Sequence, residues 1–168
     1  MTTDGEWTSQ LRIDHPLMVA EGFRKNLFPK SNPAYLAAIM AAFVNEREFE
    51  DDTTDTSMVP KTLFKIFTKI DAGLKPFAKE MTSNGFAVPT LYFLPAVTMY
   101  LWARGMPWDE VVTISKMPEG NLAMLIFRTA DNLRHIRNIG RVFPDAAETS
   151  GRAIDLILRD PVVSTYEI

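Results

Sequence analysis

Apolar residues recur at helical spacing along most of this chain, and this pattern restricts the fold more than any other feature. Leu36, Ile39 and Phe43 lie three and four positions apart, as on one face of a helix. The same spacing recurs in residues 60–81 and 122–136. No segment shows the convincing alternation of apolar and polar residues that is typical of strands. The pattern predicts an all-α fold.

Prolines, capping side chains and one glycine mark the ends of the predicted helices. Asn32 followed by Pro33 is a start signal, because the asparagine can accept a free backbone N–H and proline there loses no donor. Gly105 is suited to a left-handed helix end. These signals predict a bundle of about seven or eight helices with one long central helix. The predicted helices cover residues 17–27, 33–48, 60–81, 107–115, 118–140 and 145–159, and a further helix ends at Gly105.

Length and composition are those of a single domain, residues 1–168, with enough apolar residues (46%) for a real core. The net charge of −3 indicates that any contact with nucleic acid is made through a local surface. The longest apolar run, residues 87–103, is interrupted by Pro89 and Pro95 and falls short of the roughly 20 residues of a membrane span. No signal peptide is visible. We expect a soluble, cytoplasmic chain without a membrane partner.

The residues for several kinds of chemistry are missing from the sequence. Two histidines, His15 and His135, have no ligand-spaced carboxylates around them, and the chain has no cysteine. The acidic run 46–55 lacks the glycine of a calcium-binding loop. Neither a phosphate-binding loop nor a serine nucleophile motif is present. We therefore predict no metal site, no catalytic residues and no cofactor in this chain.

Residues 107–129 have the shape of a helix–turn–helix, with a short helix, a tight turn and a longer helix. A DNA-reading helix would begin with basic and amide side chains, whereas this one begins with Glu119. A DNA-binding regulator is therefore one alternative function. A protein–protein docking bundle without nucleic-acid contact is another.

A polar stripe runs along the predicted long helix. Arg128, Asp131 and His135 lie three and four positions apart, with Asn121 and Asn132 close by. One interpretation is an ordinary surface face with a weak Arg128–Asp131 pair. The other is a helix that faces a channel, in which guanidinium and amide groups meet the bases or phosphates of a single strand.

A family resemblance rests on motifs that follow one another along the chain. The segment "YLWARGMPWDEVVTISKMPEGNLAMLIFRTADNLRHI" resembles the DSHCT domain, the C-terminal helical domain of superkiller-type, exosome-associated DExH-box RNA helicases. Its motif Y-x-W-x-x-G-x-x-[FW] falls on residues 100–108, and an "EG" turn falls on Glu119 and Gly120. Two further motifs agree: F-x-x-E-R at residues 43–47 and I-x-R-D at residues 157–160.

The resemblance implies a C-terminal fragment of a larger ATP-dependent RNA helicase, with ATP and Mg²⁺ bound in ATPase lobes outside this chain. The long helix would be the family's ratchet helix, which lines the channel for single-stranded RNA, with DNA as a possible substrate. The family's strand-contacting arginine falls on Arg128, and the acidic residue one turn on falls on Asp131. The glutamate of F-x-x-E-R falls on Glu46, and Met124 stands where the family usually has arginine.

Overall fold

The computed structural model describes residues 16–49, 55–138, 140 and 142–166, so His15 lies outside the described residues. Within these ranges the chain forms eight α-helices and no strand, which confirms the all-α class. A short 3-10 helix, Thr56–Met58, precedes the longest helix. The helices are α1 Pro16–Arg24, α2 Pro33–Val44, α3 Lys61–Ser83, α4 Phe93–Ala103, α5 Trp108–Ser115, α6 Glu119–Arg137, α7 Pro144–Ile157 and α8 Val162–Tyr166.

The start of α2 and the end of α4 have the geometry that their sequences predict. The Asn32 side chain accepts the backbone N–H of Tyr35 at 3.1 Å. At the end of α4, Gly105 has φ +101° and donates its N–H to the carbonyl of Trp102 at 3.1 Å. The N–H of Met106 reaches the carbonyl of Leu101 at 3.0 Å, which completes a Schellman-type helix end.

Helix α2 ends earlier than its sequence predicts. The spacing predicts a helix to residue 48, but the helix ends at Val44 and Asn45 takes an extended conformation. The buried Asn45 side chain accepts the N–H of Arg47 at 3.3 Å and donates to the carbonyl of Arg47 at 2.8 Å. Asparagine readily bonds to nearby backbone in this way, and the local turn replaces the last helical turn. Glu46 therefore lies in a loop.

Helices α2 and α4 are buried on nearly all sides, whereas α3, α6 and α7 each have an exposed face. Helix α2 packs against α4, α6 and α7, while α6 and α7 also pack against each other. Alanines on α2 allow its neighbours to approach closely, and larger side chains fill the remaining space. The apolar residues that recur at helical spacing in residues 122–136 form the core face of α6, with no measurable exposure. These are Leu122, Ile126, Leu133 and Ile136.

Two of the motifs that carry the family resemblance meet inside the bundle. The indole N–H of Trp102 donates to the carbonyl of Ile157 at 2.8 Å. The Arg159 guanidinium lies 3.4 Å from the centre of the Trp102 ring and donates to the carbonyls of Trp102 and Met106 at 2.9 and 2.7 Å. Burial lowers the pKa of this guanidinium below its usual value. The contact joins the end of α4 to the segment after α7.

Candidate nucleic-acid interface

The loop that follows α2 brings two neighbouring charged side chains to α6 and the turn before it. Asn45 folds this loop, as described above, and Glu46 and Arg47 follow it directly. Glu46 contacts the middle of α6, and Arg47 contacts the turn that leads into the same helix. The early end of α2 is thus what makes both contacts possible.

An ion pair links the loop to the polar stripe of α6. Nη2 of Arg128 lies 3.1 Å from Oε1 of Glu46. The Glu46 side chain is 76% exposed and that of Arg128 is 30% exposed. An exposed pair of this kind contributes at most about 1 kcal/mol to stability. Its consequence is geometric, because it brings the Arg128 guanidinium and the Glu46 carboxylate together in the lining of one cleft.

Arg47 holds the turn at the start of α6. Its Nη1 donates to the carbonyl of Lys116 at 2.7 Å. Lys116 has φ +56°, in the left-handed region, and it caps the end of α5. Reasoning from sequence singled out Glu46 and passed over Arg47, although both belong to the F-x-x-E-R motif. The adjacent position in that motif was the signal that could have identified Arg47.

Between the loop and α6 lies a cleft of about 180 Å³, here named the α2–α6 cleft. Polar side chains in its lining include Glu46, Asn121 and Arg128. Its apolar surface includes Met124, which is 59% exposed although it is a large apolar residue. The remaining lining residues are Val44, Asn45, Arg47, Met117 and Leu125. The cleft therefore combines guanidinium, carboxylate and amide groups with an apolar wall.

The structure brings together only three of the six residues that the sequence analysis assigned to a strand-contacting surface. Glu46, Asn121 and Arg128 line the cleft; Asp131, Asn132 and His135 are not among its lining residues. Only part of the polar stripe of α6 therefore lines the cleft.

The three other residues have distinct environments. Asn132 is only 5% exposed, and its amide donates to the carbonyl of Arg128 at 2.7 Å, so its expected place on the open face is wrong. This bond one helical turn back satisfies a polar side chain at the edge of the core. Asp131 is exposed and forms an ion pair with Arg134 on the same helix. His135 is half-buried and lies two turns beyond Arg128.

Within the described residues, no group of three or more histidine, aspartate or glutamate side chains could hold a metal ion. The same part of the chain contains no helix that combines the length and the apolar character of a membrane span.

Comparison with known proteins finds one matching domain family and several similar proteins. The DSHCT (NUC185) domain matches residues 1–165. Superkiller complex protein 2 of Homo sapiens is 28% identical over 156 residues, 88% of this chain and 12% of that protein. DExH-box ATP-dependent RNA helicase DExH15 chloroplastic of Arabidopsis thaliana is 24% identical over 162 residues, 94% of this chain and 14% of that protein.

A third relative, DExH-box ATP-dependent RNA helicase DExH11 of Arabidopsis thaliana, is 25% identical over 126 residues, 73% of this chain and 9% of that protein. The chain thus spans about a tenth of the length of the curated relatives it matches. The domain match, in contrast, covers almost the whole chain, and the motifs that carry the resemblance lie inside it. The chain belongs to the DSHCT (NUC185) domain family.

Proposed function

We propose that this chain is the C-terminal accessory domain of an ATP-dependent RNA helicase and that it guides a single RNA strand along the α2–α6 cleft. The names of the relatives support the parent activity, since two of the three are RNA helicases and the third belongs to a superkiller complex. ATP and Mg²⁺ would act in ATPase lobes elsewhere in the same protein. This chain would then contribute contacts to the strand and no catalytic group.

The observation that carries the proposal is the position of Arg128 in the lining of the cleft, paired with Glu46. A guanidinium can donate hydrogen bonds to a base edge or a phosphate and can stack on a base plane. The carboxylate of Glu46, 3.1 Å away, repels phosphate but can accept from the amino groups of a base. The pair therefore favours base edges over the phosphate backbone. Met124 offers an apolar surface next to it on the same cleft.

RNA is the substrate that we propose, with DNA as the second substrate to test. The DNA-binding helix–turn–helix receives less support, because the first residue of α6 is Glu119, whose carboxylate accepts the indole N–H of Trp108 at 3.1 Å. The cytoplasmic location expected from the sequence stays a prediction, and one relative carries the word chloroplastic in its name.

The direct test measures binding of a fluorescent single-stranded RNA to the 168-residue chain. We expect Arg128→Ala to weaken binding roughly 5- to 150-fold, the range for loss of a stacking or bidentate base contact. Arg128→Lys should recover only part of this loss, because lysine lacks the planar donor group. A matched DNA strand of the same sequence reports the preference between the two nucleic acids.

Arg134→Ala is the matched control, since Arg134 lies on the same helix, is exposed and is not among the cleft residues. It removes the same charge and should change the dissociation constant less than twofold. Equal losses for Arg128→Ala and Arg134→Ala would show a general charge effect and would overturn the proposal. So would unchanged binding for Arg128→Ala. A docking bundle without nucleic-acid contact would bind neither strand.

A further inference from the structure

The outer face of α3 carries a row of exposed lysines. The helix contains five lysines and only two acidic residues, in a chain whose net charge is −3. Its opposite face is the core face, with Leu63, Phe67, Ile70 and Leu74 buried. All five lysines are exposed and lie on the side away from that core: Lys61, Lys65, Lys69, Lys75 and Lys79.

These charges form a line that matches a long, regular polyanion. Helix geometry gives a length of about 27 Å from Lys61 to Lys79, with about 6 Å between lysines four positions apart. At about 3.4 Å per nucleotide, the rise of a fully stacked strand, such a line spans roughly eight nucleotides, and a more extended strand covers it with fewer. Most of the lysines on this face have no ion-pair partner among the described residues. Among the described residues, Lys75 alone of the five has an ion-pair partner, Asp71 at 3.9 Å.

An exposed aromatic ring stands beside the lysines. Phe64 lies one helical turn after Lys61 and directly before Lys65, and it is 44% exposed. Its ring packs edge-on against Phe93 at a centroid distance of 5.2 Å, which holds it in place while one side remains open. Cations that follow a backbone, combined with an aromatic ring for a base, are the pattern of single-strand binding surfaces. An acidic peptide would need only the cations.

We propose that the outer face of α3 is a second surface for single-stranded nucleic acid, separate from the α2–α6 cleft. The lysines contact phosphates, and Phe64 stacks on one base. The ligand class is the one assigned to the cleft under the proposed function. The two surfaces nevertheless use different residues and different chemistry. The cleft presents a paired guanidinium and carboxylate, whereas α3 presents ammonium groups of which, among the described residues, Lys75 alone has an ion-pair partner.

The test measures binding of a labelled 12-nucleotide single-stranded RNA to the 168-residue chain at several salt concentrations. The first variant combines Lys61→Gln, Lys65→Gln and Lys69→Gln. We expect the dissociation constant to rise at least tenfold at low salt. The slope of log affinity against log salt should fall by about two, because each lost phosphate contact on a single strand removes about 0.7.

The matched control combines Arg104→Gln, Arg134→Gln and Arg152→Gln, three exposed cations outside α3. It removes the same net charge and should weaken binding less than threefold. Phe64→Leu keeps the charge and removes the stacking surface, so it should weaken binding fivefold or more and leave the salt slope unchanged. Thermal melting of each variant establishes that it is folded.

Four results would overturn the inference: no RNA binding by the unchanged chain, equal losses for the lysine and arginine triples, an unchanged dissociation constant for Phe64→Leu, or a polyglutamate peptide that competes as well as RNA. The last would assign the face to an acidic protein. Arg128→Ala separates the two proposals. If it has no effect while the lysine triple and Phe64→Leu do, the cleft proposal fails and the α3 surface stands; the reverse pattern removes only the α3 surface.

Discussion

The guanidinium of Arg128 and the carboxylate of Glu46 lie 3.1 Å apart, although 82 positions separate the two residues in the chain. Packing of α6 against α2 brings them together, and the loop formed by Asn45 directs Glu46 toward α6. The pair joins two motifs of the DSHCT family into one cleft. Because the pair is exposed, it contributes little to the stability of the bundle. Substitutions at the two residues should therefore report on strand binding and not on unfolding.

The first prediction concerns the contribution of this ion pair to the unfolding free energy. Glu46→Ala, Arg128→Ala and the double variant should each lose less than about 1 kcal/mol of unfolding free energy, and their coupling should be a few tenths of a kcal/mol. Urea denaturation of the four proteins measures this double-mutant cycle. A coupling above about 2 kcal/mol would mean that the pair supports the fold, and a binding defect in Arg128→Ala could then reflect a damaged bundle.

The second prediction concerns the longer protein that we propose. Arg128→Ala should reduce unwinding by an amount equivalent to roughly 1–3 kcal/mol, because a base-stacking or bidentate contact is lost from the strand. Glu46→Ala should also reduce unwinding, while basal ATP hydrolysis stays near that of the parent. Unwinding and ATP hydrolysis measured side by side test this. Parent-level unwinding by Arg128→Ala would remove the strand-guiding role.

Local signals in the sequence were sufficient for much of the fold. The Asn32 cap and the Gly105 helix end depend on neighbouring residues only, so a single sequence contains their cause. The sequence does not predict the end of α2 at Val44, because the Asn45 turn competes with a helix of similar local stability. The helical spacing also placed Asn132 with the polar stripe, whereas its bond to a backbone carbonyl lets it lie at the core edge.

The cleft itself depends on contacts that no local pattern contains. Only the family resemblance points to Glu46 in the sequence, and no local pattern points to Arg47. The bond from Arg47 to Lys116 spans 69 positions and exists only once α2 has packed against α6. Helical spacing could therefore identify Arg128 and Asn121 as polar residues on one helix, but the partner surface required the three-dimensional structure.

The third prediction concerns the Trp102 anchor. Trp102→Ala should lower the unfolding free energy by about 3–5 kcal/mol, because a large, fully buried side chain is removed together with its contacts to Arg159 and Ile157. Phe86→Ala is the control: Phe86 is 55% exposed, and its loss should cost about 0.5 kcal/mol or less. Chemical denaturation measures both. A loss below about 1 kcal/mol for Trp102→Ala would contradict the buried anchor.

The fourth prediction concerns the pH response of Asp55. Hydrogen bonds from the Ser57 hydroxyl at 2.6 Å and the Ser57 N–H at 2.9 Å lower the pKa of this carboxyl below its ordinary value of 3.8. The bonds favour the carboxylate, so their contribution is fully present above the unfolded pKa. It is lost as the pH falls through the lower folded value. Titration of the carboxyl carbon by NMR should give a midpoint below 3.8, and Ser57→Ala should move it upward. A midpoint at or above 3.8 would exclude these bonds in solution.

The last prediction concerns the close approach of Phe28 to Gly22. A Cβ added at Gly22 would lie 2.4 Å from Cε1 of Phe28, whose ring is buried against Phe23 and Phe43. The ring cannot move aside without disturbing the core, so Gly22→Ala should cost about 1–3 kcal/mol. Thermal melting measures the effect, and at this chain length each kcal/mol corresponds to about 2–4 °C.

Gly120→Ala is the matched control for this substitution, since Gly120 is also helical and nothing lies within 4 Å of an added Cβ. It should leave the melting temperature unchanged or raise it, because alanine is favoured over glycine in a helix by roughly 0.5–1 kcal/mol. Phe28→Leu makes room beside residue 22, so Gly22→Ala should cost less in that background than in the parent chain. Equal costs in the two backgrounds would show that the Phe28 ring does not limit the space at Gly22.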